Sequence, residues 1–63
     1  MSKPKEAMYK TAFSPMFGVY VEITRTYQDD IGEWIFVCNS RPGAGEILTD
    51  HLFRKHELTG FRL

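Results

Sequence analysis

From Phe17 to Gln28 the chain alternates. Phe17, Val19, Val21, Ile23 and Tyr27 share one parity, and Gly18, Glu22, Thr24, Thr26 and Gln28 share the other. Period-two alternation over a segment rich in β-branched residues predicts a strand with one buried face. Arg25 interrupts the apolar parity; near a sheet end such a side chain buries its stem and keeps its head in water. Asp29-Asp30-Ile31-Gly32 reads as a hairpin turn and Trp34-Ile35-Phe36-Val37-Cys38 as the return strand. The preferred register has a four-residue loop, pairing Tyr27 with Trp34, Arg25 with Phe36 and Ile23 with Cys38. A three-residue loop moves Trp34 and Phe36 to the face of Thr24 and Thr26, because a one-residue slip inverts every side chain. In both cases Trp34/Phe36 and Ile35/Val37 oppose each other. Both faces of this strand are therefore apolar, and both call for cover.

The rest of the chain is organised around that hairpin. Residues 1–6 are expected to be a flexible tail and residues 7–63 a single domain. Residues 7–15 carry two signals. Ala7, Tyr9, Thr11 and Phe13 alternate as in a strand, whereas Ser2, Pro4 and Glu6 suit the opening of a helix through Met8 and Ala12. Ser14-Pro15 ends either element. Asn39 to Gly45 is rich in turn formers. Glu46-Ile47-Leu48-Thr49 reads as a short third strand, and Thr49 or Asp50 as the cap of a turn or two of helix over Asp50 to Glu57, with Leu52 and Phe53 facing inward. Thr59-Gly60 turns the chain into a last edge strand, Phe61-Arg62-Leu63.

The expected fold is mostly β, a small β-barrel or highly curved antiparallel sheet with one short helical turn. Over residues 16–63 the order of elements resembles that of small SH3-like barrels. The resemblance rests on element order and carries no motif. That superfold hosts peptide binders, nucleic-acid binders and a few oligomeric enzymes, so it implies no single activity.

Composition narrows the class. Sixty-three residues make one domain at most, and a chain of that size buries only about 60% of the surface its unfolded form exposes. The single cysteine, Cys38, excludes an internal disulfide and fits a reducing compartment. A content of 43% hydrophobic and 25% charged residues lies far from the disordered regime. Eight basic residues balance eight acidic ones, so no global field draws the chain to nucleic acid or to an anionic membrane. The N-terminus lacks an apolar run of signal-peptide length, and no stretch is long enough to span a bilayer. A cytoplasmic protein with no membrane partner is expected.

Candidate chemistry is thin. Cys38 with His51 or His56 suggests a nucleophile and base, but nothing local supplies the electropositive setting a reactive thiol needs. His51 and His56 are five apart, whereas helical metal pairs sit four apart. Pro42-Gly43-Ala44-Gly45 fails as a phosphate loop, since Leu48 stands where a further glycine belongs and no Lys-Ser/Thr pair follows. Asp29, Asp30 and Glu33 suit a turn for backbone reasons alone. No catalytic residue, metal ligand or cofactor site is expected.

Two readings of function remain, with a much weaker third in which an active site forms between subunits. The first is a non-catalytic binding module, acting as adaptor, inhibitor or homo-oligomer through an aromatic sheet face. One Trp, three Tyr and five Phe exceed what one small core must hold, and surface Tyr and Trp are typical interface anchors. Its expected protein contacts are Tyr20, Trp34, Ile35 and Val37. The second is a nucleic-acid-binding accessory protein using Arg41, Arg54, Lys55 and Arg62, with Tyr20 as a stacking residue.

Overall fold

The computed structural model describes residues 4–63, so the tail expected over residues 1–6 lies partly outside the described residues. Of the two signals in residues 7–15 the strand prevails, and the helical one is confined to a single 3₁₀ turn that ends at Met8, short of Ala12. Lys5–Met8 form a 3₁₀ turn that Tyr9 leaves in extended conformation, and strand β1 follows at Thr11–Ser14. Ser14 ends it by accepting twice: its carbonyl takes the Gly18 N–H at 2.8 Å and its Oγ the Phe17 N–H at 3.3 Å. Gly18, at φ +66°, makes the left-handed step that returns the chain into β2, Val19–Gln28.

Strands β3 (Trp34–Ser40), β4 (His51–Arg54) and β5 (Thr59–Arg62) complete a five-stranded antiparallel sheet of order β4-β3-β2-β1-β5. The edge strands β4 and β5 are consecutive in the chain, joined by residues 55–58, which include a second 3₁₀ turn at Lys55–Glu57. A flat sheet would hold its outer strands about 19 Å apart at ~4.8 Å per strand. The connection reaches that far only if fully extended, and a 3₁₀ turn rises just ~2 Å per residue. The sheet must therefore curl. Among the described residues no ladder joins β4 to β5, so the curled sheet is open and not a closed barrel.

Curling gives the sheet an inner face, which holds the core. Ala12, Val19, Val21, Phe36, Cys38 and Phe53 line it, and Leu48 and Leu58 plug it from the connections. Tyr9, Phe17, Ala44 and Phe61 pack around them. Phe61 bridges Tyr9 and Phe36 at centroid distances of 4.8 and 5.1 Å. Each large side chain buried here contributes roughly 1.5–3 kcal/mol.

The β2–β3 register combines both expected alternatives. Ile23 lies opposite Cys38 as in the preferred register, but beyond it Arg25 pairs with Val37, Thr26 with Phe36, Tyr27 with Ile35 and Gln28 with Trp34. Thr24 is the extra residue of a β-bulge, and its Oγ1 donates to the Val37 carbonyl at 3.1 Å. Tyr27 therefore does not share a face with Trp34 and Phe36. The cause lies at the hairpin tip, where the Asp29 N–H donates to the Glu33 carbonyl at 2.9 Å and closes a three-residue loop. Asp29 Oδ1 accepts the N–H groups of Ile31 and Glu33, and Gly32 stands at φ +85°. That tip fixes one register, the apolar inner face around Ile23 and Cys38 fixes the other, and Thr24 absorbs the difference.

The helix expected over Asp50 to Glu57 is replaced by β4 and the second 3₁₀ turn. Asp50 adopts φ +49°, a left-handed conformation incompatible with an N-cap, and its N–H donates to Asn39 Oδ1 at 2.8 Å. The chain thus turns back onto β3 and pairs Phe53 with Phe36. Leu52 faces out instead of in. Residues 46–49 form a loop, not a strand; Ser40 and Leu48 exchange bonds there, Ser40 N–H to the Leu48 carbonyl and Leu48 N–H to Ser40 Oγ.

Candidate binding face

Alternation about the inner core places the other residues of each strand on the outer face. The ladders arrange them in rows. Thr59, Phe13 and Tyr20 form the first. Arg41 continues it, one residue past β3 at the same parity, with its N–H donating to the Tyr20 carbonyl at 3.4 Å. Arg62, Thr11, Glu22 and Asn39 form the next. Beyond the bulge come Arg25–Val37–Leu52 and Tyr27–Ile35–Arg54. Every non-strand segment whose side chains join the core does so on the inner face, and no second layer covers the outer one among the described residues.

This face has an aromatic pair at one end of β2 and a single tyrosine under an arginine towards the other. Phe13 and Tyr20 meet edge to face at 4.9 Å. About 23 Å along the strand, the Arg25 guanidinium lies 5.4 Å above the Tyr27 ring, a cation–π geometry. Tyr20 is 58% exposed and Leu52 55%. Ile35 and Val37, by contrast, are only 6% and 7% exposed, screened by their neighbours in the rows. A shallow groove of about 570 Å³ runs beside Tyr20 and Arg41, floored by Gly18, Val19 and Pro42–Gly45.

The residues expected to contact protein are thus divided. Tyr20, Ile35 and Val37 occupy the outer face, whereas Trp34 turns inward and packs against the core. Trp34 instead lines a groove of about 550 Å³ at the open seam, with Glu33, Arg54, Lys55, His56, Leu58 and Phe61. The expected basic set is divided too. Arg54 and Arg62 stand on opposite edge strands, Lys55 in the turn between, and Arg41 at the far end beside Tyr20. Arg54 is held by Asp29 at 3.2 Å and by Glu33. Lys55 donates to Glu6 at 2.7 Å; that hydrogen bond lowers the Glu6 pKa and raises that of Lys55. Among the described residues no carboxylate pairs with Arg25, Arg41 or Arg62.

The remaining candidates resolve into structural roles. Cys38 is fully buried, and burial pushes its thiol up to about 12. His51 is a half-buried strand residue packed on Phe17 and Phe53 at 5.2 and 4.6 Å, and His56 lies exposed in the 3₁₀ turn. Asp29 organises the hairpin tip; the hydrogen bond from the Glu33 N–H is the main cause that lowers its pKa. Pro42–Gly45 is a turn, with Gly43 at φ +85° and the Ala44 N–H bonded to the Arg41 carbonyl. Among the described residues no group of three or more His, Cys, Asp or Glu side chains is placed to hold a metal, and no helix is long and apolar enough to cross a membrane.

Sequence reasoning missed Phe13, Arg25, Tyr27 and Leu52 as members of the face. One signal was present: an arginine on an otherwise apolar parity marks the point where a bulge reverses the strand. No protein-family description, curated protein or solved structure matches the chain.

Proposed function

We propose that the chain is a small non-catalytic binding module whose working surface is the outer face of its sheet. The observation that carries this reading is the exposed set of Tyr20, Tyr27 and Leu52, with half-buried Phe13 against Tyr20, on a sheet whose core-forming connections pack on the opposite side. Exposed aromatics flanked by arginines are the residue types from which binding hot spots are built. The original protein-contact set keeps Tyr20 as an anchor, with Ile35 and Val37 as the buried support beneath Tyr27 and Leu52; Trp34 belongs to the seam. Self-association through this face is one form of the same reading, and a cytoplasmic location is proposed with it. An SH3-like architecture is proposed as well, supported by the strand order and by the short 3₁₀ connection between the two edge strands.

The test compares material co-purifying from the native host across variants at exposed apolar positions on the face and in the loops. Tyr20→Asp and Leu52→Asp alter the face, whereas Ile31→Asp and Ile47→Asp alter loops, where those isoleucines are 80% and 83% exposed. The expected result is loss of the co-purifying partner with the first pair only. Loss with the loop pair alone contradicts the proposal.

A further inference from the structure

We infer that the outer face binds a single-stranded nucleic acid laid along β2, an inference that rests on the outer face being the working surface and names its partner class. The deciding observation is the placement of the arginines. Arg25, Arg41, Arg54 and Arg62 are every arginine of the chain, and all of them occupy outer-face positions. The described lysines do not: Lys5 and Lys55 sit in the 3₁₀ turns and Lys10 precedes β1. A chain of zero net charge thus carries all four arginines at outer-face positions, spread from one edge strand to the other across the β2 strand that displays Tyr20 and Tyr27.

Guanidinium groups and aromatic rings side by side suit one ligand class. The planar cation pairs with phosphate bidentately, and the ring stacks on a base whatever its sequence. The Arg25 guanidinium lies over the Tyr27 ring, and Arg41 lines the same shallow groove as Tyr20. Tyr20 and Tyr27 stand seven residues apart on β2, a backbone path of about 23 Å for extended chain, which suits a segment of several nucleotides. Arg54 is already committed to Asp29 and Glu33, which leaves Arg25, Arg41 and Arg62 as the phosphate contacts. The surface differs from the basic patch expected at Arg54, Lys55 and Arg62, because two of those cations are neutralised within the chain. It also differs from an apolar protein interface, because Ile35 and Val37 at its centre are already covered.

The experiment is fluorescence anisotropy of a labelled oligothymidine and an oligouridine, each about 15 nucleotides long, titrated with the full chain at two salt concentrations. Three phosphate contacts at about −0.7 each give a log–log salt slope near −2, so raising salt from about 50 to about 200 mM weakens binding about twentyfold. Tyr27→Ala is expected to weaken binding about tenfold or more, and Tyr27→Phe to restore it. Arg41→Gln is expected to flatten the slope by about 0.7, and Lys10→Gln to leave it unchanged. Absence of saturable binding up to about 1 mM chain at the lower salt overturns the inference, since even non-specific sites bind more tightly than that. So does equal binding of polyglutamate that Tyr27→Ala does not weaken, which would assign the face to an acidic protein. In either case the host co-purification test remains independent: face variants that still lose a partner there leave the binding-module reading intact, and variants that lose nothing remove both.

Discussion

Cys38 faces the core with Ile23 and His51 opposite it in the flanking strands, and burial pushes its thiol up to about 12 from the ordinary 9.0. The neutral thiol is therefore the form the fold stabilises. Its contribution is fully present below the unfolded value and is lost as pH rises from 9 towards 12, where the unfolded chain has released a proton that the folded chain keeps. Urea midpoints at pH 8 and pH 10 should fall more steeply for the wild type than for Cys38→Ala, by at most ~1.4 kcal/mol per pH unit. Equal slopes would show that burial does not hold the thiol neutral. The native thiol is also expected to resist labelling by a thiol reagent at neutral pH. Asp29 works in the opposite direction, since the backbone hydrogen bond from Glu33 lowers its pKa. Its stabilisation is present above the unfolded carboxylate range and is lost as pH falls through the folded value. Asp29→Ala should lower the urea midpoint more than Asp30→Ala at pH 7, with the gap narrowing in acid.

At the scale of elements, the hairpin of β2 and β3 shows where the sequence is readable. Alternation from Phe17 to Ile23 predicts the strand and its buried parity, because that stretch obeys a single burial rule. Past Thr24 the rule reverses, and a periodic reading extends the earlier parity through Arg25 to Tyr27. The bulge arises from two distant constraints, the Asp29–Gly32 tip and the Ile23–Cys38 contact, which no local window contains. The same physics explains β4. His51-Leu52-Phe53-Arg54 satisfies a helical pattern over a short span as well as an alternating one, and the left-handed Asp50 together with the partner Phe36 decides for strand. The outer face was legible only in Tyr20, Arg41, Arg54, Arg62 and the two-sided apolar character of residues 34–38. Cross-strand amide NMR contacts are expected both for Ile23–Cys38 and for Tyr27–Ile35. A single uninterrupted register through Tyr27–Trp34 would contradict the bulge.

The whole molecule has little stability to spare. A chain of this length has a total of roughly 3–9 kcal/mol, and Phe36→Ala, at the centre of the inner face, should cost about 3–5 kcal/mol and leave much of the chain unfolded in urea-free buffer. Leu52→Ala, on the bare outer face, should stay within about 0.5 kcal/mol of wild type. That contrast makes the two faces separable: one folds the chain, and the other is free to contact a ligand. The most direct test of this division places a photo-crosslinking amino acid at one position at a time in the native host, at Tyr20, Tyr27 or Leu52 on the outer face and at Ile31 or Ile47 in the loops. The expected result is adducts of one partner from all three outer-face positions and none from the loops. Adducts from Ile31 and Ile47 alone, with the outer face silent, would contradict it.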